Sequence, residues 1–167
     1  MSSFLDLLAA EWFSYRERYC TRVNVPLRKR AKGGHEGDAD VIGIPPINSG
    51  LPVIHVEASQ AAQSLKTQLP VLKRKFEKAA DDYRELTGVT IDEVKKIVIA
   101  GWAKELGNDI KEPTLIVYTV PLFMKMVTDV LKGIDPWKNA IPETFPILRA
   151  IQYALWYGEK WYEGAKS

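Results

Sequence analysis

Cysteine is almost absent from this chain: Cys20 stands alone, which excludes an internal disulfide framework and a cysteine-based zinc cage. Histidine is nearly as scarce, and two residues, His35 and His55, are too few for a histidine-based metal site. No long apolar run is present. The stretch 114–126 is broken by Pro121 and Lys125 and falls short of the roughly 18–20 residues a membrane span needs. The N-terminus lacks the charged start and small-residue cleavage site of a secretory signal, so the expectation is a cytoplasmic protein with no membrane partner. Internal repeats, low-complexity tracts and an obvious linker are also missing. So are a Gly-x-Ser-x-Gly elbow and a Walker loop, because Gly33-Gly34 is not followed by Lys-Ser or Lys-Thr.

What is present is ordinary in bulk and uneven in detail. A length of 167 residues with 46% hydrophobic and 26% charged content suits one domain, 1–167, with a core of its own. The net charge is only +2. Between Arg16 and Lys32, however, seven basic residues face the single acid Glu17, a local +6 that leaves −4 for the rest of the chain. A polyanion meets the patch and not the mean.

Periodicity orders the elements. Leu5, Leu8, Trp12, Tyr15 and Tyr19 recur at helical spacing over residues 4–19, with Ser2 or Ser3 as N-cap and Asp6 in the first turn. Val23, Val25 and Leu27 alternate as a half-buried strand ending near Arg30, and Gly33, Gly34 and Gly37 mark a turn. Val41, Ile42 and Ile44 form a short strand stopped by Pro45 and Pro46, and residues 53–57 form another. Residues 60–86 have a helical pattern, interrupted or kinked near Pro70. Two compact apolar runs, 97–101 and 115–118, then read as buried strands, and helices are expected at 122–131 and 145–162. A three-strand antiparallel meander followed by strands with crossover connections predicts an α/β fold. Its mixed central sheet of about five strands is flanked by helices.

The chemistry concentrates in two segments, Gly37-Asp38-Ala39-Asp40-Val41-Ile42-Gly43 and Val53-Ile54-His55-Val56-Glu57-Ala58-Ser59. Asp40 opens one apolar strand and Glu57 ends its neighbour, so antiparallel pairing brings the two carboxylates to one end of the sheet. Their mutual repulsion is relieved by a hard divalent cation, and Mg²⁺ suits carboxylate oxygens while leaving room for a phosphate.

A leading helix with a glutamate, a glycine-rich turn, an Asp with apolar neighbours and a strand ending in Glu-x-Lys together resemble the PD-(D/E)xK nuclease pattern. The matching positions are Glu11 or Glu17, Asp40, Glu57, and Ser59 at the lysine position, with Ala39 where the pattern has proline. The resemblance implies a restriction-endonuclease-like core, Mg²⁺ (or Mn²⁺) on Asp40 and Glu57 with Glu11 or Glu17 assisting, and a lysine that orients or activates water. Ser59 supplies no cation, so Lys66, Gln60 and Gln63 are the candidate substitutes. For Ser59 itself the favoured role is the N-cap of the following helix.

Other polar residues carry plainer expectations. Asp38 makes a turn, and His35 is exposed in the glycine-rich loop. His55 is expected to share the Glu57 strand but not its face, as a structural histidine. The aromatic stretch of Trp156, Tyr157, Trp161 and Tyr162 is better placed for core or subunit contact than for stacking bases, and a homodimer is expected. Arg22, Arg28, Lys29, Arg30 and Lys32 are the candidate phosphate contacts. If about half of the seven basic residues engage DNA, log K falls against log salt with a slope near −3. The expected function is a metal-dependent endonuclease hydrolysing DNA phosphodiester bonds, structure-selective in the manner of the Holliday junction resolvases or of restriction or repair type. The alternatives are an inactive nucleic-acid-binding protein that kept the fold and lost the lysine, and an unrelated α/β protein with an incidental acidic pair.

Overall fold

The computed structural model describes residues 2–29, 35–61, 63–102 and 115–164, which fall into two compact units, Met1–Leu122 and Phe123–Ser167. The first opens with α1 (Phe4–Glu17). Ser3 is its N-cap in a full capping box, with the Asp6 N–H donating to Ser3 Oγ at 3.2 Å and the Ser3 N–H to Asp6 Oδ2 at 2.6 Å. Arg18 ends the helix with φ at +65°, two residues before the expected end, because the chain must turn there to begin the sheet.

Five strands follow: β1 (Cys20–Lys29), β2 (His35–Ile44), β3 (Val53–Ser59), β4 (Val94–Ala100) and β5 (Leu115–Tyr118), side by side in sequence order. The first three form the antiparallel meander, whereas β3–β4 and β4–β5 are parallel, so the sheet is mixed as expected. β2 is longer than its apolar segment. It begins at His35, so Asp40 lies within the strand and does not open it. The early half pairs with β1 alone, where the ladder needs backbone and not hydrophobicity.

Between β3 and β4 run α2 (Leu65–Lys78) and α3 (Ala80–Thr87). Here the N-cap expectation fails, and the helical stretch is interrupted at a different place. Ser64 caps α2, accepting from the Thr67 N–H, while Ser59 ends β3 and its Oγ accepts the Ala61 N–H at 3.3 Å. The helix also passes through Pro70 and breaks at Ala79 instead. Pro70 removes only the hydrogen bond to the Lys66 carbonyl, and Lys66 is exposed, so water is at hand to replace it.

Strand alternation sorts the faces. Thr21 donates to the Ala10 carbonyl of α1 at 3.3 Å and pairs with Gly43, so the Gly43, Val41, Ile54 and Val56 face looks toward α1. A Cβ on Gly43 would lie 2.6 Å from Ile54 Cγ1 and 3.3 Å from Tyr19, which explains glycine there. The opposite face carries Ile42, His55 and Glu57. On that side Tyr83 and Ala79 pack with Ile42, Val53 and Val94, and Leu72 and Phe76 pack with Val98, Ala100 and Val117. Helices therefore cover both faces of the sheet.

The second unit holds most of α4 (Val120–Leu131), a connecting segment, and α5 (Pro146–Gly164). Phe123, Val127, Leu131, Ile141 and Leu148 are its buried apolar residues. Among the described residues of this unit, Gln152 is the buried polar one. Its Oε1 accepts the Ile141 N–H at 2.9 Å, and its amide donates to the carbonyls of Asn139 (2.9 Å) and Ile134 (3.3 Å). No helix among the described residues is long and apolar enough to cross a membrane.

Candidate functional site

Beyond the Val41–Val56 pair, the next residue on each strand is Asp40 on β2 and Glu57 on β3. Their carboxylates do converge. Between them sits the ammonium of Lys75, from the third turn of α2, bonded to Asp40 Oδ1 at 3.1 Å and to Glu57 Oε2. The second oxygen of Asp40 accepts the backbone N–H of Ala58 at 2.8 Å. Enclosure falls off outward: the Glu57 side chain is 0% exposed, Asp40 16% and Lys75 36%. The cation end of the cluster is thus its solvent-open end.

Behind Glu57 lies a second row. His55, two residues back on β3, shares its face, and His55 Nε2 lies 2.7 Å from Glu57 Oε1. The expectation that the two point to opposite faces is therefore wrong, since a strand repeats its face every second residue. His55 Nδ1 bonds the Tyr83 hydroxyl of α3, and Phe76 meets the imidazole edge-on at a centroid distance of 4.6 Å.

The electrostatics follow from burial. It pushes Asp40 up to about 6, helped by the Glu57 charge and opposed by Lys75 and the Ala58 N–H. Burial likewise pushes Glu57 up to about 7, against the pull of Lys75. For Lys75, burial favours the neutral amine, but Glu57 and then Asp40 overturn this and hold it above the ordinary lysine range. Burial drops His55 to about 3, so the ring is neutral, and it raises the Tyr83 phenol, which stays protonated. A buried like-charged pair bridged by one cation is a strained arrangement of the sort that marks working sites.

The remaining sequence candidates are placed elsewhere. Ser59 makes the local turn to Ala61. Gln60 has an exposed side chain, and its carbonyl accepts the Trp102 indole N–H at 3.4 Å. Gln63 gives its carbonyl to the Gln68 amide at 2.6 Å. Lys66 is exposed in the first turn of α2, nine residues before Lys75, or about 13 Å along the axis. The cation at the carboxylates is Lys75, not Lys66. Glu11 and Glu17 are half-buried on α1, which covers the other face. Among the described residues no group of three or more His, Cys, Asp and Glu side chains is arranged to hold a metal ion, so Glu11 completes no such shell. Of the basic segment, Arg16, Arg18 and Arg22 are exposed, and Arg22 lies on the edge strand β1. Arg28 and Lys29 are on β1 with side chains outside the described set, and Arg30 and Lys32 lie outside the described residues. So do Gly33 and Gly34, while the side chains of His35, Trp161 and Tyr162 are likewise not described. Asp38 is exposed within β2, paired with Pro26, and not in a turn. Trp156 and Tyr157 are half-buried on α5, where Tyr157 stacks on Tyr153 at 6.0 Å.

Lys75 was missed although a signal exists. Gln68, Leu72, Lys75 and Ala79 follow one another at spacings of four, three and four, the stripe that α2 turns inward. An ammonium on such a stripe demands a buried counter-charge.

No family model, no curated protein and no solved structure matches this chain.

Proposed function

We propose that the chain is a metal-dependent deoxyribonuclease with a restriction-endonuclease-like core of the PD-(D/E)xK type, hydrolysing DNA phosphodiester bonds. One observation carries the proposal: the Lys75 ammonium lies between the Asp40 and Glu57 carboxylates. It brings from a helix the lysine that the motif lacks at Ser59, which favours an active nuclease over a lysine-less, inactive relative. The order of a helix, an antiparallel meander, helices and two parallel strands supports the same core.

The donor set fits Mg²⁺ or Mn²⁺. Asp40 and Glu57 offer hard carboxylate oxygens, and the gap between them already takes a cation, the Lys75 ammonium. Two protein carboxylates suffice for an ion that keeps several waters and shares substrate phosphate. Once bound, such an ion polarises a phosphoryl oxygen and activates water at neutral pH. The protein's own contribution is positional and electrostatic. Lys75 is held protonated, so it is no general base. It donates N–H bonds, orienting the attacking water and steadying charge on the phosphate. Exposed Arg22 is one of the candidate phosphate contacts, exposed Arg16 and Arg18 belong to the same basic segment, and the aromatic α5, assigned to core or subunit contact, is the candidate homodimer element.

Cleavage of labelled duplex, single-stranded, flap and four-way-junction DNA with Mg²⁺ or Mn²⁺ tests this, with Asp40→Ala, Glu57→Ala and Lys75→Met beside the wild type. The expected result is metal-dependent cutting in the wild type alone, on the substrate it selects. Failure to cut any of the four DNAs, with salt-sensitive binding intact, would leave a nucleic-acid-binding protein and sink the nuclease.

A further inference from the structure

Glu57 has two carboxylate oxygens with different partners. Oε2 turns outward to Lys75, beside Asp40 Oδ1, whereas Oε1 turns inward to His55 Nε2 at 2.7 Å. His55, Glu57 and Tyr83 are each 0% exposed, so no water competes for these bonds. With Glu57 ionised, the donors and acceptors admit one consistent assignment. An ionised Oε1 accepts from Nε2–H, which leaves Nδ1 as the acceptor for the Tyr83 hydroxyl proton. The ring itself cannot swing. Phe76 stands edge-on to it at 4.6 Å and Tyr83 at 5.6 Å. Tyr83 is in turn anchored by α3, and its backbone carbonyl accepts the Thr87 hydroxyl at 2.6 Å.

We infer that His55, braced by Tyr83, is a positioning residue that ties up Glu57 Oε1, so that a bound divalent cation meets Glu57 through Oε2 alone. The inference rests on the metal reading of the Asp40–Glu57 site given above. A terminal carboxylate torsion is soft. Freed of His55, the group rotates and presents both oxygens. One-oxygen coordination suits the small octahedral ions Mg²⁺ and Mn²⁺. Ca²⁺, with six to eight ligands, gains from a bidentate carboxylate. The histidine therefore sets which ion the site prefers, besides holding the ligand still.

Calorimetric titration of the full chain with Mn²⁺, alone and in competition with Ca²⁺, tests this without any turnover. His55→Leu removes the N–H and keeps bulk; His55→Gln keeps an amide N–H that reaches toward Oε1; Tyr83→Phe deletes only the hydroxyl. His55→Leu is expected to weaken Mn²⁺ by about 10- to 100-fold, as loss of a ligand's hydrogen-bond partner commonly does. Ca²⁺ should then displace Mn²⁺ at lower relative concentration than in the wild type. His55→Gln should recover most of the loss, and Tyr83→Phe should show a smaller loss in the same direction. If His55→Leu does not fold, the Tyr83→Phe and His55→Gln titrations carry the comparison. Equal Mn²⁺ affinity and unchanged ion preference in every folded variant would overturn the inference while leaving the nuclease intact. A wild type that binds no Mn²⁺ and cuts no DNA would bring down the nuclease and this inference together.

Discussion

Gln152, in the second unit, and Glu57, in the first, are both cut off from water. Gln152 is neutral and spends both ends of its amide on backbone groups, the Ile141 N–H and the carbonyls of Ile134 and Asn139. Every partner is fixed by the chain's own course, and no charge is buried. Glu57 sits in a charged row, Asp40, Lys75, Glu57, His55, Tyr83, in which burial works against each carboxylate and one cation serves two. A satisfied amide stabilises a connection. A pair of carboxylates held close beneath a partly exposed ammonium stores repulsion, which a cation releases. The contrast separates a polar group satisfied by the fold from the polar groups to which the proposed function gives a task.

Removing the cation breaks the comparison most sharply. Lys75→Met is expected to cut DNA cleavage by at least about 100-fold. It should also destabilise the metal-free protein by about 3–5 kcal/mol at pH 8, where both carboxylates are left charged and unpaired. That loss should shrink at pH 5, where they protonate, and in the presence of Mn²⁺. Gln152→Leu strands three backbone groups at about 1–3 kcal/mol each. In urea unfolding its loss should be the same at pH 5 and pH 8, because nothing there titrates, and Mn²⁺ affinity should not move.

The pH dependence sharpens it further. Asp40 and Glu57 rise from ordinary values of 3.8 and 4.5 to about 6 and about 7. Between those limits the folded protein holds protons that the unfolded chain releases. Stability from this site is therefore full below about pH 4, falls as pH rises through the raised values, and is flat above them. Asp40→Asn removes part of this slope. Relative to wild type it should gain about 1–2 kcal/mol on going from pH 4.5 to pH 7.5 in metal-free urea unfolding. Mn²⁺ affinity of the wild type should rise over the same window, because protons leave the ligands. A flat difference between wild type and Asp40→Asn would show that the pair is not strained.

The smallest expected effect separates two lysines on one helix. Lys66→Met should leave cleavage within about twofold of wild type, the range of an exposed substitution that touches nothing buried. A loss near that of Lys75→Met would mean that Lys66 reaches the carboxylates.

Much of this molecule was legible residue by residue. The alternation of Val23, Val25 and Leu27, the apolar runs around Val41, Ile54, Val98 and Val117, and the turns between them predicted the mixed five-strand sheet that is present. Asp40 and Glu57 were legible as a pair because an antiparallel meander joins neighbours in sequence, so their meeting needs only a local register. The His55 face was legible too, by counting two along the strand, and the expectation set it on the wrong side. Lys75 was harder. Where α2 begins depends on Ser64 capping it and on the Gln68 amide gathering the Ala61 and Gln63 carbonyls. A start at Gln60 turns the helix to a different face.

Sequence by itself determined the elements, their order and the carboxylate pair, since these rest on short-range periodicity and on groups one hairpin apart. Only the tertiary structure decided that Lys75 lies between them and that Tyr83 stands behind His55. Those contacts span 18 to 35 residues. Over such separations the packing of α2 and α3 against the sheet, and no local propensity, chooses which side chains meet.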